Sequence, residues 1–243
     1  MTKRKKIISF CLWGSQPKYI VGAIRNAELA KKIYPDWICR YYVGNSTLIG
    51  ASEYIRDLKS KSNVEIIEMK EEGDWKGMFW RFYPISEENV EIVISRDTDS
   101  RLSKREKRAI DEWLKSGKKF HIMRDHPYHH FKILGGMWGA RKGILSDMKD
   151  LIAKYEKGDF WQVDQNFLGE IIYPLIQNDV FIHDEFGDGR KIPGCRKNFE
   201  FIGDVYDEFN NRHPDYWKEI KQRRNQKMVT NKKLYSIWRK IQS

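Results

Sequence analysis

The stretch Val90–Ser100 reads VEIVISRDTDS, and its first six residues have almost no polar face. Such a run is expected of a strand covered on both sides, as in the middle of a parallel sheet. Downstream, Ser103 and Glu106 form a capping box, Ala109, Ile110, Trp113 and Leu114 supply the buried stripe of a helix, and Gly117 ends it. A buried strand, a polar loop and a capped helix in that order are one half of a strand–helix–strand unit, and the rest of the chain is read outward from it.

Upstream, Met78–Ile85 is aromatic and helical as far as Pro84. Lys6–Trp13 reads as a strand that reaches a turn at Gly14–Pro17. Ile20, Ala23, Ile24, Ala27, Ala30 and Ile33 then recur at helical spacing until Pro35 stops them. Ile38–Val43 and Val64–Met69 are short strand candidates on either side of a weaker helical stretch at Glu53–Lys59. Downstream, Lys119–Met123 is a strand, Ile133–Ala140 a Gly-rich strand or turn, and Ser146–Tyr155 an amphipathic helix. Asp159 and Gln162 look like a capping pair for a helix running to about Tyr173, and Val180–His183 is one more strand. Strands alternating with helices predict an α/β single domain whose mainly parallel central sheet is flanked by helices. In such sheets ligands gather beyond the strand C-termini.

The 243 residues are 40% hydrophobic, with nine Trp, twelve Tyr and twelve Phe, enough apolar area to exclude general disorder. No window approaches the roughly 18 apolar residues of a membrane span, and the N-terminus does not read as a signal peptide. Cys11, Cys39 and Cys195 are odd in number, far apart and without a CxxC pair, so a reducing compartment, the cytoplasm, is expected. The net charge of +11 would suggest nucleic acid or an anionic membrane if it were spread over the surface. It is not: residues 1–6 carry +4, residues 212–243 carry ten basic against two acidic groups, and residues 7–211 sum to −1. The reading is therefore a near-neutral body at 1–211 and a basic, aromatic helical extension at 212–243.

Asp97 and Asp99 stand one residue apart at the end of the Val90–Ser95 strand, so both carboxylates can approach one divalent cation. Hard oxygen ligands favour Mg²⁺ or Mn²⁺, and such a cation would neutralise a diphosphate. Asp164 is the best catalytic candidate. At about 100° per residue, Phe167, Leu168, Ile171 and Leu175 project close to its direction, so a carboxylate points with the apolar face. A salt bridge or a helix N-terminus would also explain it; a catalytic site at the inner end of the helix explains it better, because an unpaired buried charge is expensive. Gly135 and Gly136 either let the backbone approach a ligand or form a tight turn. His121, His126, His129 and His130 cluster without matching a structural zinc spacing, and are read as acceptor contacts or a surface loop, with Asp125 as a second possible base.

EIVISRDTDS, ILGGMWGAR and WQVDQNFL occur in an order that resembles sugar-nucleotide-dependent glycosyltransferases of the GT-A fold, a Rossmann-like class, including predicted enzymes of bacterial and viral surface-glycan synthesis. The resemblance covers about residues 6–190 and is absent from the basic tail. It implies a nucleotide-sugar donor, a UDP-sugar in the first place, whose diphosphate is held by a metal on Asp97 and Asp99, most directly on Asp99. It further implies His183 as a third metal ligand, although the surrounding HDEF lacks the longer family pattern. Arg81, Arg96, Thr98, Gly135 and Gly136 would contact the donor, and Trp13 would cover its base. Asp164 would be the general base of an inverting enzyme, or the Asp164-Gln165 pair would flank the reacting sugar of a retaining one. The acceptor is expected to be a glycan or lipid-linked glycan. The tail, which interleaves Trp217, Tyr235 and Trp238 with basic residues, suits either peripheral contact with anionic lipid or a terminal helix packed on the domain. The competing classes are a basic nucleic-acid-binding module, and a metal-dependent nuclease or nucleotidyltransferase that would need more clustered carboxylates than RDTDS supplies.

Overall fold

The computed structural model describes residues 4–224. Its centre is a seven-stranded sheet in the order β3-β2-β1-β4-β6-β5-β7. The strands are β1 Lys5–Leu12, β2 Ile38–Val43, β3 Val64–Glu68, β4 Val90–Ser95, β5 Phe120–Arg124, β6 Trp138–Arg141 and β7 Val180–Asp184. Only β6 runs against the others. The expected mainly parallel α/β sheet is present. The Gly-rich 133–140 stretch resolves into a turn followed by the antiparallel strand, which lets β4 and β5 stay parallel with one strand between them.

The chain winds outward from β1 through β2 to β3, then returns to place β4 on the other side of β1. The connections that leave the C-terminal ends of β1 and β4 therefore run to opposite sides of the sheet, to β2 and to β5, and the crevice between them is the expected ligand position. Trp13 follows β1, and Asp97 and Asp99 follow β4.

Both faces of the sheet are covered. Helices α1 Pro17–Ile33, α2 Asn45–Gly50, α3 Ser52–Ser60 and α4 Lys104–Ser116 lie in sequence between the strands. On one face Ala23, Ala27, Ile55, Ile110 and Trp113 pack with Phe10, Tyr41 and Ile94. On the other, Phe82, Phe167, Leu168 and Ile172 pack with Ile7, Val93, Phe120 and Trp138. Alternate residues of β1 and β4 feed opposite cores, which is why both strands read as nearly continuous apolar runs. The Met78–Ile85 expectation becomes a 3₁₀ helix at Trp75–Ser86, tighter than an α-helix and able to carry Pro84.

Helix α4 begins as its sequence predicts, with Ser103 Oγ accepting from the Glu106 amide at 3.1 Å, and ends at Gly117 with φ 78°. The carboxylate of Glu106 does not close the capping box; it bonds Arg96 and Tyr34. The helix expected from Asp159 starts later, at α6 Val163–Phe167, and runs through a π segment at Leu168–Ile172 into α7 Tyr173–Ile176; α5 is Met148–Ala153. Neither Asp159 nor Gln162 caps it by a side chain, and Asp159 Oδ1 accepts from the Lys76 amide instead. The π segment inserts one residue into the helical stripe. Beyond it Ile172 and Ile176 are buried while Leu175 is 58% exposed, so Leu175 does not share the buried face that Asp164, Phe167 and Leu168 form, and Ile171 packs at its edge, half-buried.

Residues 196–224 cross the C-terminal edge of the sheet. Tyr206 donates its amide to the Asp99 carbonyl at 2.9 Å, Ile202 donates to Asp125 Oδ2 at 2.8 Å, and a helix over 214–224 follows. Residues 212–220 continue directly from the body: Arg212 Nε is 2.5 Å from Asp204 Oδ2, and Ile220 is buried. Tyr235, Trp238 and the rest of the basic tail after 224 lie outside the described residues. Among the described residues no helix is long and apolar enough to cross a membrane.

Candidate active site

A cleft of about 1280 Å³ opens at the β1/β4 crevice. Trp13, Arg81, Asp97, Thr98, Asp99, Gly135, Gly136, Asp164 and Gln165 all line it. The structure thus brings together nine of the eleven residues that the resemblance places at the donor, the metal or the reacting sugar.

Its floor is organised by Arg81, which the 3₁₀ helix holds at 1% exposure. One arm of the guanidinium, Nη1, pairs with Asp97; the other, Nη2, lies 2.7 Å from Asp164 Oδ2. A single buried cation therefore joins the loop after β4 to helix α6. The second Asp164 oxygen accepts from the Gln165 amide at 2.9 Å, and the residue is 2% exposed. Burial raises the Asp164 carboxyl above the usual carboxylate range, opposed by Arg81. The backbone just before it is bent: Gln162, a cleft residue, has φ 70°. A non-glycine residue in the left-handed region is sparsely populated and tends to occur where surrounding contacts hold a site in place.

The two glycines of ILGGMWGAR are explained by this floor. A Cβ on Gly135 would overlap the Asp164 carboxylate and the Arg81 guanidinium, and one on Gly136 would lie 2.5 Å from Asp97 Cγ and 3.0 Å from its backbone nitrogen. The close approach they permit is first that of the protein's own charged groups.

Asp97 is the most open of the three carboxylates, with 39% of its side chain exposed. Asp99 is more enclosed, at 15%, and its one cationic partner among the described residues, Lys18 Nζ, is 3.4 Å away. Burial pushes the Asp99 carboxyl up to about 6, with the neighbouring Asp97 charge acting in the same direction. The loop that carries both aspartates is pinned from α1. Asn26, fully buried, donates Nδ2 to the carbonyls of Thr98 and Ser100 at 3.2 and 2.9 Å, while its Oδ1 accepts from the Leu102 amide at 3.0 Å. Gly22, one turn earlier, leaves no room for a Cβ against the Thr98 carbonyl. Lys18, Tyr19, Gly22 and Asn26 are site residues that the sequence reading missed. Asn26 had left a signal, a polar side chain on the stripe between Ala23 and Ala27.

Trp13 stands at the cleft wall beside a glycine bed. Gly73 packs against it so closely that a Cβ would overlap its Cβ and Cγ, Gly77 would place one 3.1 Å from its Cδ1, and Trp75 meets it edge-on with ring centroids 5.9 Å apart.

Two expected site residues are elsewhere. Arg96 is 2% exposed and turns away from the cleft into the packing with α4, where Nε lies 2.6 Å from Glu106 Oε1 and Nη1 bonds the carbonyls of Ser95 and Trp138. It is a structural ion pair and does not face a donor. His183 is fully buried, its Nδ1 2.8 Å from His121 Nε2 and its Nε2 3.3 Å from Glu112. Both ring nitrogens are engaged away from Asp97 and Asp99, so it is not a third metal ligand of that pair. Asp125, the second candidate base, is enclosed by Arg105, Arg196 and the Ile202 amide and does not line the cleft. The histidine cluster is divided: His121 joins His183 in the interior, while His126, His129 and His130 line the cleft.

Among the described residues no group of three or more His, Cys, Asp or Glu is arranged to enclose a metal. Asp97 and Asp99 nevertheless fit a small hard cation. Mg²⁺-type sites commonly use one or two carboxylates and complete the shell with phosphate oxygens and water, and both aspartates line the cleft, with Arg81 on Asp97 and Lys18 on Asp99 as their cationic partners among the described residues.

No protein-family model matches the chain, and no curated protein matches it. Among solved structures the chain is similar to a glycosyltransferase involved in the glycosylation of the major capsid of PBCV-1, at 18% identity over 74% of this chain and 82% of that one, TM-score 0.48. It is also similar to S. aureus TarS 1-349 in complex with UDP-GlcNAc, at 11% identity over 74% of this chain and 56% of that one, TM-score 0.49. A third similarity is to 4-diphosphocytidyl-2C-methyl-D-erythritol synthase from Anaerococcus prevotii, at 10% identity over 74% and 87%, TM-score 0.47.

Proposed function

We propose that the protein is a Leloir-type glycosyltransferase of the GT-A class, moving a monosaccharide from a nucleotide-diphosphate sugar to a hydroxyl of a glycan or glycolipid with the help of Mn²⁺ or Mg²⁺. The observation that carries this reading is the Arg81 bridge, which holds Asp97 and Asp164 at one cleft floor beside Asp99. Asp97 and Asp99 would hold the metal, and a bound cation would supply charge neutralisation to a departing nucleoside diphosphate. Three carboxylates face one guanidinium and one ammonium, Lys18, so the floor carries a formal charge of −1 with all groups ionised. A diphosphate is repelled by that floor until a cation joins it, so metal and donor are expected to bind together. Arg81 keeps Asp164 oriented toward the reacting sugar. The raised Asp164 carboxyl suits a group that takes a proton from an acceptor hydroxyl, and Gln165 Oε1, buried without a partner among the described residues, is an acceptor available to a sugar hydroxyl.

The competing classes fare worse on the same floor. The acidic and basic side chains lining the cleft are Asp74, Asp97, Asp99, Asp159 and Asp164 against Arg81, with Lys18 beside Asp99, a net negative lining that repels a polyanion such as nucleic acid. A two-metal nuclease needs its carboxylates free to share metals, whereas Asp164 and one arm of Asp97 are committed to Arg81. The basic residues after 211 support a place at an anionic cytoplasmic membrane surface near a lipid-linked acceptor.

The test is ligand-dependent melting with UDP-, GDP-, CMP- and dTDP-sugars, with and without Mn²⁺, UDP-sugars first. One nucleotide class at about 100 times its Kd is expected to add roughly 2.7 kcal/mol, or about 5–10 °C, and only with metal. Asp99→Ala should keep the fold and lose both the shift and donor hydrolysis. Full activity in that variant overturns the proposal.

A further inference from the structure

The cleft has two chemically different halves. All its aspartates and Arg81 come from the floor and from the side of Trp13, Asp74 and Asp159. The opposite wall, built from residues 126–137 and 201–216, contributes no Asp, Glu, Lys or Arg to the lining. Its surface is aromatic: Tyr128, Phe131, Phe201 and Tyr216, with the imidazoles of His126 and His129 among them. His126 lies 4.5 Å from Phe201 and 4.9 Å from Tyr128, ring centroid to centroid.

The hydrogen bonds assign the two imidazoles. His126 Nδ1 accepts from the Tyr128 amide at 3.1 Å, so its Nε2 carries the hydrogen and donates to the Tyr216 carbonyl at 2.9 Å. His129 Nδ1 accepts from the Asp125 amide at 3.0 Å, which makes Nε2 the protonated nitrogen. In each case a ring nitrogen that accepts from the backbone has no room for a second proton, and burial lowers both groups, His129 to about 3. The wall thus has aromatic faces and two fixed neutral imidazoles, with the exposed His130 also lining it, and the helix over 214–224 is tied to it at Tyr216.

Tyr128 is the free platform of this wall. It is 51% exposed while its cleft neighbours Phe201 and His126 are 8% and 2% exposed. The cleft volume, about 1280 Å³, also exceeds the roughly 300–1,000 Å³ of a typical single-ligand pocket, so a second ligand has space beside the first.

We infer that this wall is the acceptor subsite and that it selects a neutral sugar, stacked through its apolar C–H face on Tyr128, over uronic acids and sugar phosphates. The inference rests on the proposed transferase activity and deepens it. Among the described residues lining this wall an anionic acceptor would find no Lys or Arg, and it would face the aspartates of the floor; a neutral pyranose meets aromatic faces.

The experiment uses the full chain and saturation-transfer NMR with p-nitrophenyl glucoside, galactoside and mannoside, set against p-nitrophenyl glucuronide and glucose 6-phosphate. At least one neutral glycoside should bind. Tyr128→Ala should weaken it roughly five-fold, the loss expected when one aromatic face is removed, and Tyr128→Phe should restore it. In the transfer assay Tyr128→Ala should raise the acceptor KM, and Tyr128→Phe should return it to the wild-type value. Equal or tighter binding of the glucuronide or the phosphate, no binding of any neutral glycoside, or a Tyr128→Ala protein with wild-type affinity overturns the inference. Failure of the transferase reading is separate, because it appears as loss of metal-dependent nucleotide-sugar binding in the wild-type protein.

Discussion

Replacing Arg81 by Met keeps most of the apolar stem and removes the guanidinium that joins Asp97 to Asp164. The two carboxylates are affected unequally. Asp97 has 39% of its side chain exposed, so water takes the place of the lost partner. Asp164 has 3% exposed and keeps only the Gln165 amide, so it becomes a buried carboxylate without a counterion. Removing one partner of such a pair costs about 3–5 kcal/mol, and for a chain of this size each kcal/mol corresponds to roughly 2–4 °C in Tm. The Arg81→Met protein should therefore melt roughly 6–20 °C lower near pH 8, followed by circular dichroism.

The pH dependence distinguishes this cause from a simple packing defect. Burial already holds the Asp164 carboxyl above its usual range, and Arg81 is the group that opposes this. Without Arg81 the folded-state value rises further above that of the unfolded chain. The folded variant then retains a proton that the unfolded chain has lost, so its stability falls as pH rises through that window. The deficit relative to wild type should be smaller at pH 5 than at pH 8. Adding Asp164→Asn removes the stranded charge and should recover most of the loss at pH 8, a coupling that a double-mutant cycle measures directly. An Arg81→Met protein within 1 kcal/mol of wild type at pH 8, or a double variant no more stable than the single one, would refute the buried-bridge reasoning.

Two further predictions bear on the same edge of the sheet. Gly136→Ala must push the Asp97 backbone and carboxylate aside, since its Cβ would lie 3.0 Å from Asp97 N; the expected result is a stability loss of about 1–3 kcal/mol with metal-dependent donor binding down by more than about ten-fold, read by thermal shift and calorimetry. Burial raises the Asp204 carboxyl to about 6 against the pull of Arg212, so between about pH 4 and pH 6 this group makes stability fall as pH rises; Asp204→Asn should flatten the Tm-versus-pH slope across that window by an amount on the order of 1 kcal/mol, and an unchanged slope would show that the group does not titrate there.

The elements that sequence periodicity describes well are those whose partners are local. Helix α4 is the clearest case: its cap, its stripe and Gly117 all appear where the residues place them. The second half of the α6 face is the counter-example. An angle of 100° per residue holds only while each amide bonds four residues back, and across the π segment at Leu168–Ile172 the buried position moves on by one residue, from 175 to 176. Nothing in the apolar pattern up to Leu168 signals that slip. Glu106 shows a different limit, because a glutamate three residues after a serine satisfies the capping pattern while its carboxylate is in fact Arg96's partner.

That pairing also shows why the two arginines are not distinguished by sequence alone. Arg81 and Arg96 each stand near the carboxylates in sequence, and each has the chemistry of a diphosphate ligand. Their fates separate only in three dimensions: α4 brings Glu106 under Arg96 and removes it from the cleft, while α6, 83 residues beyond Arg81, brings Asp164 over its guanidinium. A charge on an apolar stripe announces itself in the sequence, as Asp164 did. Its counterion does not, because a buried pair is defined by which elements the sheet order makes neighbours, and here that order includes the antiparallel β6 preceded by the Gly135-Gly136 turn. Those two glycines are thus the nearest thing to a sequence signature of the ion bridge: the absence of two side chains is what lets Arg81, Asp97 and Asp164 meet.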